Sequence, residues 1–577
     1  MALLLWQSRP AEAPRPAEED VGSIIEFYKR NKVSFLALNE KGFLDKADSL
    51  SVFGKALREA YREERAKYVQ WRSSFIQVKK DWDRLGIEYL FHKSTGTLPH
   101  LSDNLDVLVR PSDFVRAGEA LRNMGYVELR NVQEEHKKLY RKFAGEEEWV
   151  PIHLHERVCW GVPFENNEHL WACSCSSSVD EVVRCPSSED AFLVTIAHCF
   201  LENHAFKLLD LWSVKECLTK RDFDWEYSVR TATEMHWEHA LWTGLLIMEH
   251  LYSGLFNERL LPPPIKKKAE GFVSGKRWIE RTLRGRLLSC PPQVPLRIPH
   301  LWTRRHSSLR VIQDPSLGSA YERRRLVLSY LVDGFIHRKL GINPHPRMLI
   351  ALSGLDGSGK TRHARVLQKA FRTCAGIESR PVWSRAGSLP LVNILLRVLR
   401  KLKIDYRKNR RLPQSADEQT PSRGRTALAL WSAFNSLDLI LFYFFKVKIP
   451  LAFGKVVIAD RFVHDSLVDL ERLRQKPDFD RRLYRWVRRL TPKPDVWVFL
   501  DVRPDDILRR GCDENRDELA IRQGLYRRLF EDAKVQTLDN SRSFEQVSGD
   551  LVRISMEAFF HKYPQKYKDY RLLSCKY

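Results

Sequence analysis

The sequence predicts an α/β protein in two folded halves. The C-terminal half is built on a parallel sheet flanked by helices, and the N-terminal half is α+β with a helical extension. Three observations lead there. A short apolar run at residues 348–352 enters a glycine-rich turn and then a helical pattern. Two further apolar runs, at 456–459 and 496–500, each end in an aspartate and read as parallel strands separated by helical stretches. Residues 86–154 instead mix short strand-like runs with one capped helix.

The glycine-rich turn is Gly354-Leu355-Asp356-Gly357-Ser358-Gly359-Lys360-Thr361, which fits G-x-x-x-x-G-K-[ST] at every specified position. Ala364, Val366, Leu367, Ala370 and Phe371 supply the apolar side of the helix that follows. A triphosphate needs this arrangement. Glycines let backbone N–H groups close around phosphate oxygens, and the helix N-terminus adds its positive end. The motif assigns Lys360 to the β- and γ-phosphates and the Thr361 hydroxyl to Mg²⁺. Farther on, four apolar residues precede Asp460, as in a Walker B strand. That places its carboxylate at the carboxyl end of the sheet, where open α/β sheets bind ligands. ATP and Mg²⁺ are the cofactors expected.

The formal net charge of the 577-residue chain is +23, and it is unevenly placed. Residues 341–577 hold 46 Lys/Arg against 27 Asp/Glu, a surplus of 19, so residues 1–340 contribute only 4. The basic half is the half with the phosphate loop, which suits a polyanionic ligand. Nucleic acid is not expected, because no nucleic-acid motif accompanies the charge. Ten cysteines are ordinary usage. Cys173, Cys175 and Cys185 lie near His169, but at spacings poor for zinc, and read as free thiols. The apolar run at 428–445 contains Asn435 and Asp438, so it reads as a buried helix and no membrane span is expected. A cytoplasmic protein is the default expectation.

The chain divides into a tail at 1–20, a folded domain at 21–260, a connector with a helix at 261–345, and the phosphate-loop domain at 346–577. Residues 53–82 read as one long charged helix, and residues 319–340 as a second. Strands are expected at 105–109, 126–129 and 150–154, with a helix at 114–124 ended by Gly125. The connector is broken by Pro262-Pro263-Pro264 and Pro291-Pro292.

Lys93-Ser94, then Asn104-Leu105-Asp106-Val107-Leu108-Val109, then Ile152-His153-Leu154-His155, stand in an order that resembles the nucleotidyltransferase family across about residues 75–260. That resemblance implies carboxylates holding two Mg²⁺ ions. Here Asn104 and His153 replace two of them and only Asp106 remains, while Asp103 falls on the other face of its strand. The domain therefore reads as a degenerate transferase fold that has lost its reaction.

The phosphate-loop motif, the segment Asp460-Arg461-Phe462-Val463-His464-Asp465-Ser466-Leu467 and the run Leu500-Asp501-Val502-Arg503-Pro504 together resemble thymidylate kinase and related P-loop nucleoside monophosphate kinases, over about residues 347–565. The resemblance implies a P-loop NTPase fold with catalytic Lys360, Asp460 and Arg461. It implies Arg461 and Arg385 gripping an acceptor phosphate, and Arg509, Arg510 and Arg516 on a closing lid. By that likeness the reaction is ATP-dependent conversion of dTMP to dTDP, with nucleotides as partners and a homodimer left open. The segment at 384–390 departs from the family's Arg-x-Pro element, and residues 403–427 form a long basic insert. The acceptor is therefore the open term. The alternatives are a kinase for a non-nucleotide acceptor, or an ATP-binding regulatory or scaffolding protein.

Overall fold

The computed structural model describes residues 20–563 except 41, 47–50, 94–100, 102, 130–135, 161, 164–166, 178–182, 221, 290, 300–304, 306–307, 310, 314, 316–317, 326, 329–346, 376, 384–439, 466–467, 469–488, 512–514 and 532–534. Its chain forms two compact units. The first comprises residues 1–124, 134–140 and 149–341, and the second residues 125–133, 141–148 and 342–577. Among the described residues no helix is long and apolar enough to cross a membrane.

The first unit opens with α1 (Val21–Arg30), α2 (Phe35–Glu40) and the long α3 (Val52–Arg84). Ser51 caps α3, its Oγ accepting from the Gly54 N–H at 3.0 Å. Then come β1 (Tyr89–Phe91), β2 (Leu105–Val109), α4 (Phe114–Asn123), β3 (Lys137–Arg141) and β4 (Ile152–His155). In the sheet β1 runs antiparallel to β2, β2 parallel to β4, and β4 antiparallel to β3. The strand expected at 150–154 thus sits at Ile152–His155, because Pro151 cannot donate to the ladder. β3 has no counterpart among the sequence expectations. Its lysines and arginine hide the period-two signal.

Helices complete this unit: α5 (Ser188–Ala197), α6 (Leu208–Leu218), α7 (Trp225–Glu234), α8 (Glu238–Phe256) and α9 (Pro263–Ser274). α8 is apolar nearly all round, so it occupies the centre, with Leu241, Leu245, Ile247, Met248 and Leu251 fully buried. The beginning of the segment read as a connector is folded. Ile265, Ala269 and Val273 of α9 enter the same core at helical spacing.

The second unit carries β5 (Met348–Ser353), α10 (Lys360–Ala375), β6 (Arg380–Trp383), β7 (Val456–Asp460), β8 (Val496–Asp501), α11 (Arg516–Glu531), β9 (Gln536–Asp539) and α12 (Phe544–Lys562). The sheet is parallel in the order β6-β7-β5-β8-β9. Both its faces are covered, so β5 and β7 are buried at every position and read as continuous apolar runs rather than alternating ones. One face packs Leu349, Ala351, Val457 and Ala459 with Tyr443 and Phe462. Another cluster joins Leu355 and Phe499 to Leu519, Tyr526 and Phe530 of α11. Phe371 of α10 meets Phe559 of α12 edge to face at 5.4 Å. Val127–Leu129 and the hairpin of Phe143–Ala144 with Glu147–Glu148 also belong to this unit.

Candidate functional sites

β5 and β7 end level with each other, Leu352 pairing in register with Asp460. The glycine-rich turn leaves β5 at that edge and feeds α10. Gly354, Gly357 and Gly359 have φ of 154°, 80° and 80°, conformations that L side chains rarely adopt. A Cβ on Gly354 would lie 2.8 Å from the Leu500 carbonyl oxygen and 2.9 Å from Ser358 Oγ, so only glycine lets the turn lie against β8. Lys360 is buried, its Nζ donating to the carbonyls of Gly354 (2.7 Å) and Leu355 (2.6 Å) and to Ser358 Oγ (3.3 Å). The ammonium therefore sits inside the turn, where a bound phosphate would compete for it. Thr361 Oγ1 donates to Asp460 Oδ2 at 2.5 Å, which brings the two expected Mg²⁺ ligands together.

Arg461 directly follows β7 with φ of 74°, a left-handed conformation that a non-glycine residue adopts only when its surroundings hold it there. Its amide donates to the Leu352 carbonyl at 3.0 Å, and its guanidinium pairs with Asp356 of the turn. Arg522 of α11 approaches the same carboxylate at 3.7 Å and is 2% exposed. The other arginines are placed differently. Arg509 and Arg516 pair with Asp506 and Asp505 at 2.6 Å on exposed surface, and Arg510 donates to the Asn540 carbonyl at 2.9 Å. The structure therefore brings Arg522, not Arg509 or Arg516, to the phosphate loop. The helical phase of α11 decides this. Six residues after Arg516, position 522 lies on the flank that buries Leu519 and Tyr526. Arg385 and the segments 388–402, 403–427 and 428–439 lie outside the described residues.

Two further residues hold the turn in shape. Asp465, 1% exposed, accepts from Ser353 Oγ (2.8 Å), the Gly354 N–H (3.2 Å), the Phe462 N–H (2.8 Å) and the Tyr526 hydroxyl (2.8 Å). One carboxylate thereby ties together the start of the phosphate loop, the segment after β7 and α11. Asn540 donates to the Ser358 carbonyl at 2.5 Å and accepts from His363 at 3.3 Å. Asp465 stood within the motif that carried the resemblance, five residues after Asp460. Asn540 left no signal in a single sequence.

In the first unit, Asp106 of β2 stands opposite His153 of β4. Its Oδ1 lies 3.0 Å from His153 Nδ1 and 3.1 Å from His155 Nε2, and 3.7 Å from Lys93 Nζ. Burial alone would raise the carboxyl. Lys93 and the two imidazole hydrogen bonds outweigh it and hold Asp106 well below the usual carboxylate range. Glu202 takes Lys93 at 3.3 Å and Lys137 at 3.7 Å. Asp103 pairs instead with Lys32 at 2.8 Å, away from this group. Cys173 and Cys175 are exposed thiols and Cys185 a buried one, and His169 holds Cys173 Sγ at 3.4 Å and Asp190 at 3.2 Å.

Residues 17–253 match the family model described as an uncharacterised nucleotidyltransferase, so the front of this chain is similar to that family. Solved structures similar to the chain include thymidylate kinase from Candida albicans, at 21% identity over 37% of this chain and 94% of that one, with a TM-score of 0.26. Thymidylate kinase from Ehrlichia chaffeensis matches at 16% identity over 36% of this chain and 99% of that one, with a TM-score of 0.25. The reading of the second unit rests on its own strand order and loop geometry.

Proposed function

We propose that the second unit binds ATP with Mg²⁺ and transfers the γ-phosphoryl group to a small phosphorylated acceptor, with dTMP as the first candidate. The observation that carries this is the meeting of Thr361 and Asp460 at 2.5 Å beside Lys360. A hydroxyl and a carboxylate at a strand end, next to a buried ammonium in a glycine turn, suit a metal-bound triphosphate. Mg²⁺, when bound by Thr361 and Asp460, supplies neutralisation of charge on phosphate oxygens. The chain's own part is positioning and electrostatics. Lys360 leaves its loop carbonyls for the β- and γ-phosphates, and the turn's N–H groups hold the same oxygens. Arg461 and Arg522 exchange Asp356 for charge that develops on the transferring group and its acceptor. Asp106, with Asn104 and His153 where carboxylates would be needed, takes no part in this reaction.

The test is purified protein with ATP, Mg²⁺ and a panel of nucleoside monophosphates and sugar phosphates. A diphosphate product is expected from at least one acceptor. Lys360→Ala should lower that rate by more than about 100-fold, the scale on which single electrostatic donors act, with an unchanged far-UV spectrum. Slow ATP hydrolysis across the whole panel, unaffected by any acceptor, would sink the transfer reading and leave an ATP-binding regulatory protein.

A further inference from the structure

Three neighbouring strands of the first unit direct nitrogen and oxygen donors to one face. His92 follows β1, and its N–H donates to the Asp106 carbonyl at 3.2 Å, so it lies across from Asp106. Asp106 is in register with His153, and His155 is two residues farther along β4, on the same face. One donor atom from each of His92, Asp106 and His155 can be chosen so that all three lie within 4.8 Å of one another, and all three residues are buried. The His92 and His155 rings meet edge to face at 4.4 Å, and those of His153 and His155 at 4.2 Å.

The arrangement leaves polar atoms unexplained. His92 is 2% exposed, yet neither of its ring nitrogens has a hydrogen-bond partner among the described residues, and the same holds for Nδ1 of His155 at 1% exposure. Each such buried atom destabilises the fold unless something satisfies it. Such orphaned nitrogens are rare in a native core, and a cation bonded to one ring nitrogen of each histidine could satisfy at most two of the three. We propose that His92, Asp106 and His155 bind a zinc-class divalent cation, with His153 as the fourth donor.

The donor chemistry selects the ion. Imidazole with one carboxylate suits Zn²⁺ or Co²⁺, whereas Mg²⁺ wants oxygen and keeps its waters. The site therefore differs from a two-Mg²⁺ transferase centre, which the replacement of carboxylates by Asn104 and His153 has removed. Lys93 and Lys137 are the cations that face the cluster. Glu202, which also takes His198 at 2.7 Å, pairs with both, so Lys93 can swing to it and leave Asp106 to the metal. Zinc bonds of about 2.0–2.2 Å require the donors to draw together by side-chain rotation. The result would staple β1, β2 and β4.

The full chain is stripped with a chelator and dialysed against Zn²⁺, then against Co²⁺. About one Zn²⁺ per chain should be retained. Zn²⁺ should also raise the melting transition of the first unit, because it binds the folded form alone. His92→Leu and the isosteric Asp106→Asn should each weaken binding more than the about 10–100-fold typical of outer-shell changes, while Cys173→Ser should leave it intact. Failure of the wild-type chain to retain Zn²⁺, or unaltered binding in both variants, overturns the site. If a variant does not fold, the Co²⁺ spectrum of the wild type decides. Tetrahedral bands without thiolate charge transfer support the nitrogen–oxygen site, and a thiolate band moves the metal to the Cys173 region and refutes it. None of these readouts depends on the kinase reading.

Discussion

Arg461 does two things at once, and they can be separated. Its backbone turns the chain out of β7 in a left-handed conformation, and its guanidinium reaches the phosphate loop. Arg461→Gly keeps the turn and removes the charge, whereas Arg461→Ala removes the charge and keeps the strain. The glycine variant should therefore be the more stable of the two by about 1 kcal/mol in urea unfolding, while both should lose the proposed phosphoryl transfer. Equal stability would mean that the left-handed turn carries no cost. The place of Asp460 and Arg461 at the carboxyl end of β7 was legible because four apolar residues precede them. Arg522 was not, since one arginine among several on α11 is singled out only by helical phase and by the three-dimensional position of Asp356. The choice of Arg509 and Arg516 followed the resemblance, and the structure instead pairs both with neighbouring aspartates.

Between elements, His363 links α10 to α12 and to the turn after β9. Its Nδ1 faces Ser548 Oγ at 3.0 Å and its Nε2 faces Asn540 at 3.3 Å. Burial pushes it down to about 4, against a partial upward pull from Asn540 and with a further downward push from Arg362 and Arg510. The folded chain thus refuses a proton that the unfolded chain accepts near 6.5. Stability from this group is full above that pH, falls as pH drops toward 4, and is constant below. Between pH 7 and pH 5 the second unit should lose about 2 kcal/mol through this one residue. His363→Gln should remove that part of the slope, measured by urea unfolding at both pH values. An unchanged slope would show that His363 titrates normally. The helices were legible from their period and the central parallel strands from uninterrupted apolar runs, which a doubly covered sheet leaves. The π-type turns at His198–Asn203 and Leu283–Leu287 were not, because they share the composition of the helices they continue.

At the scale of the whole chain, the second unit gathers two short internal segments, 125–133 and 141–148, with residues 342–577. Phe143 is 2% exposed, and the Phe143 carbonyl oxygen stands 3.2 Å from where a Cβ on Gly549 of α12 would lie. Gly145 sits under the Phe544 ring, where a Cβ would come within 3.1 Å, and Lys369 of α10 donates to the Glu146 carbonyl. Composition could not show this. A short apolar strand says that it is buried, not in which core, and the hairpin lies some 200 residues before the phosphate loop in sequence. It follows that a change at position 143 should be felt by the second unit. Phe143→Ala removes a fully packed ring, which costs about 3–5 kcal/mol in a core. In a unit of this size each kcal/mol lowers the melting temperature by about 2–4 °C. In calorimetry of the full chain, the transition that ATP shifts upward should drop by about 6–20 °C on these scales. A Zn²⁺-sensitive transition, if resolved, should stay where it is. If instead the ATP-sensitive transition is unmoved and the other falls, the hairpin serves the first unit's core, and the division of the chain must be redrawn at residue 342.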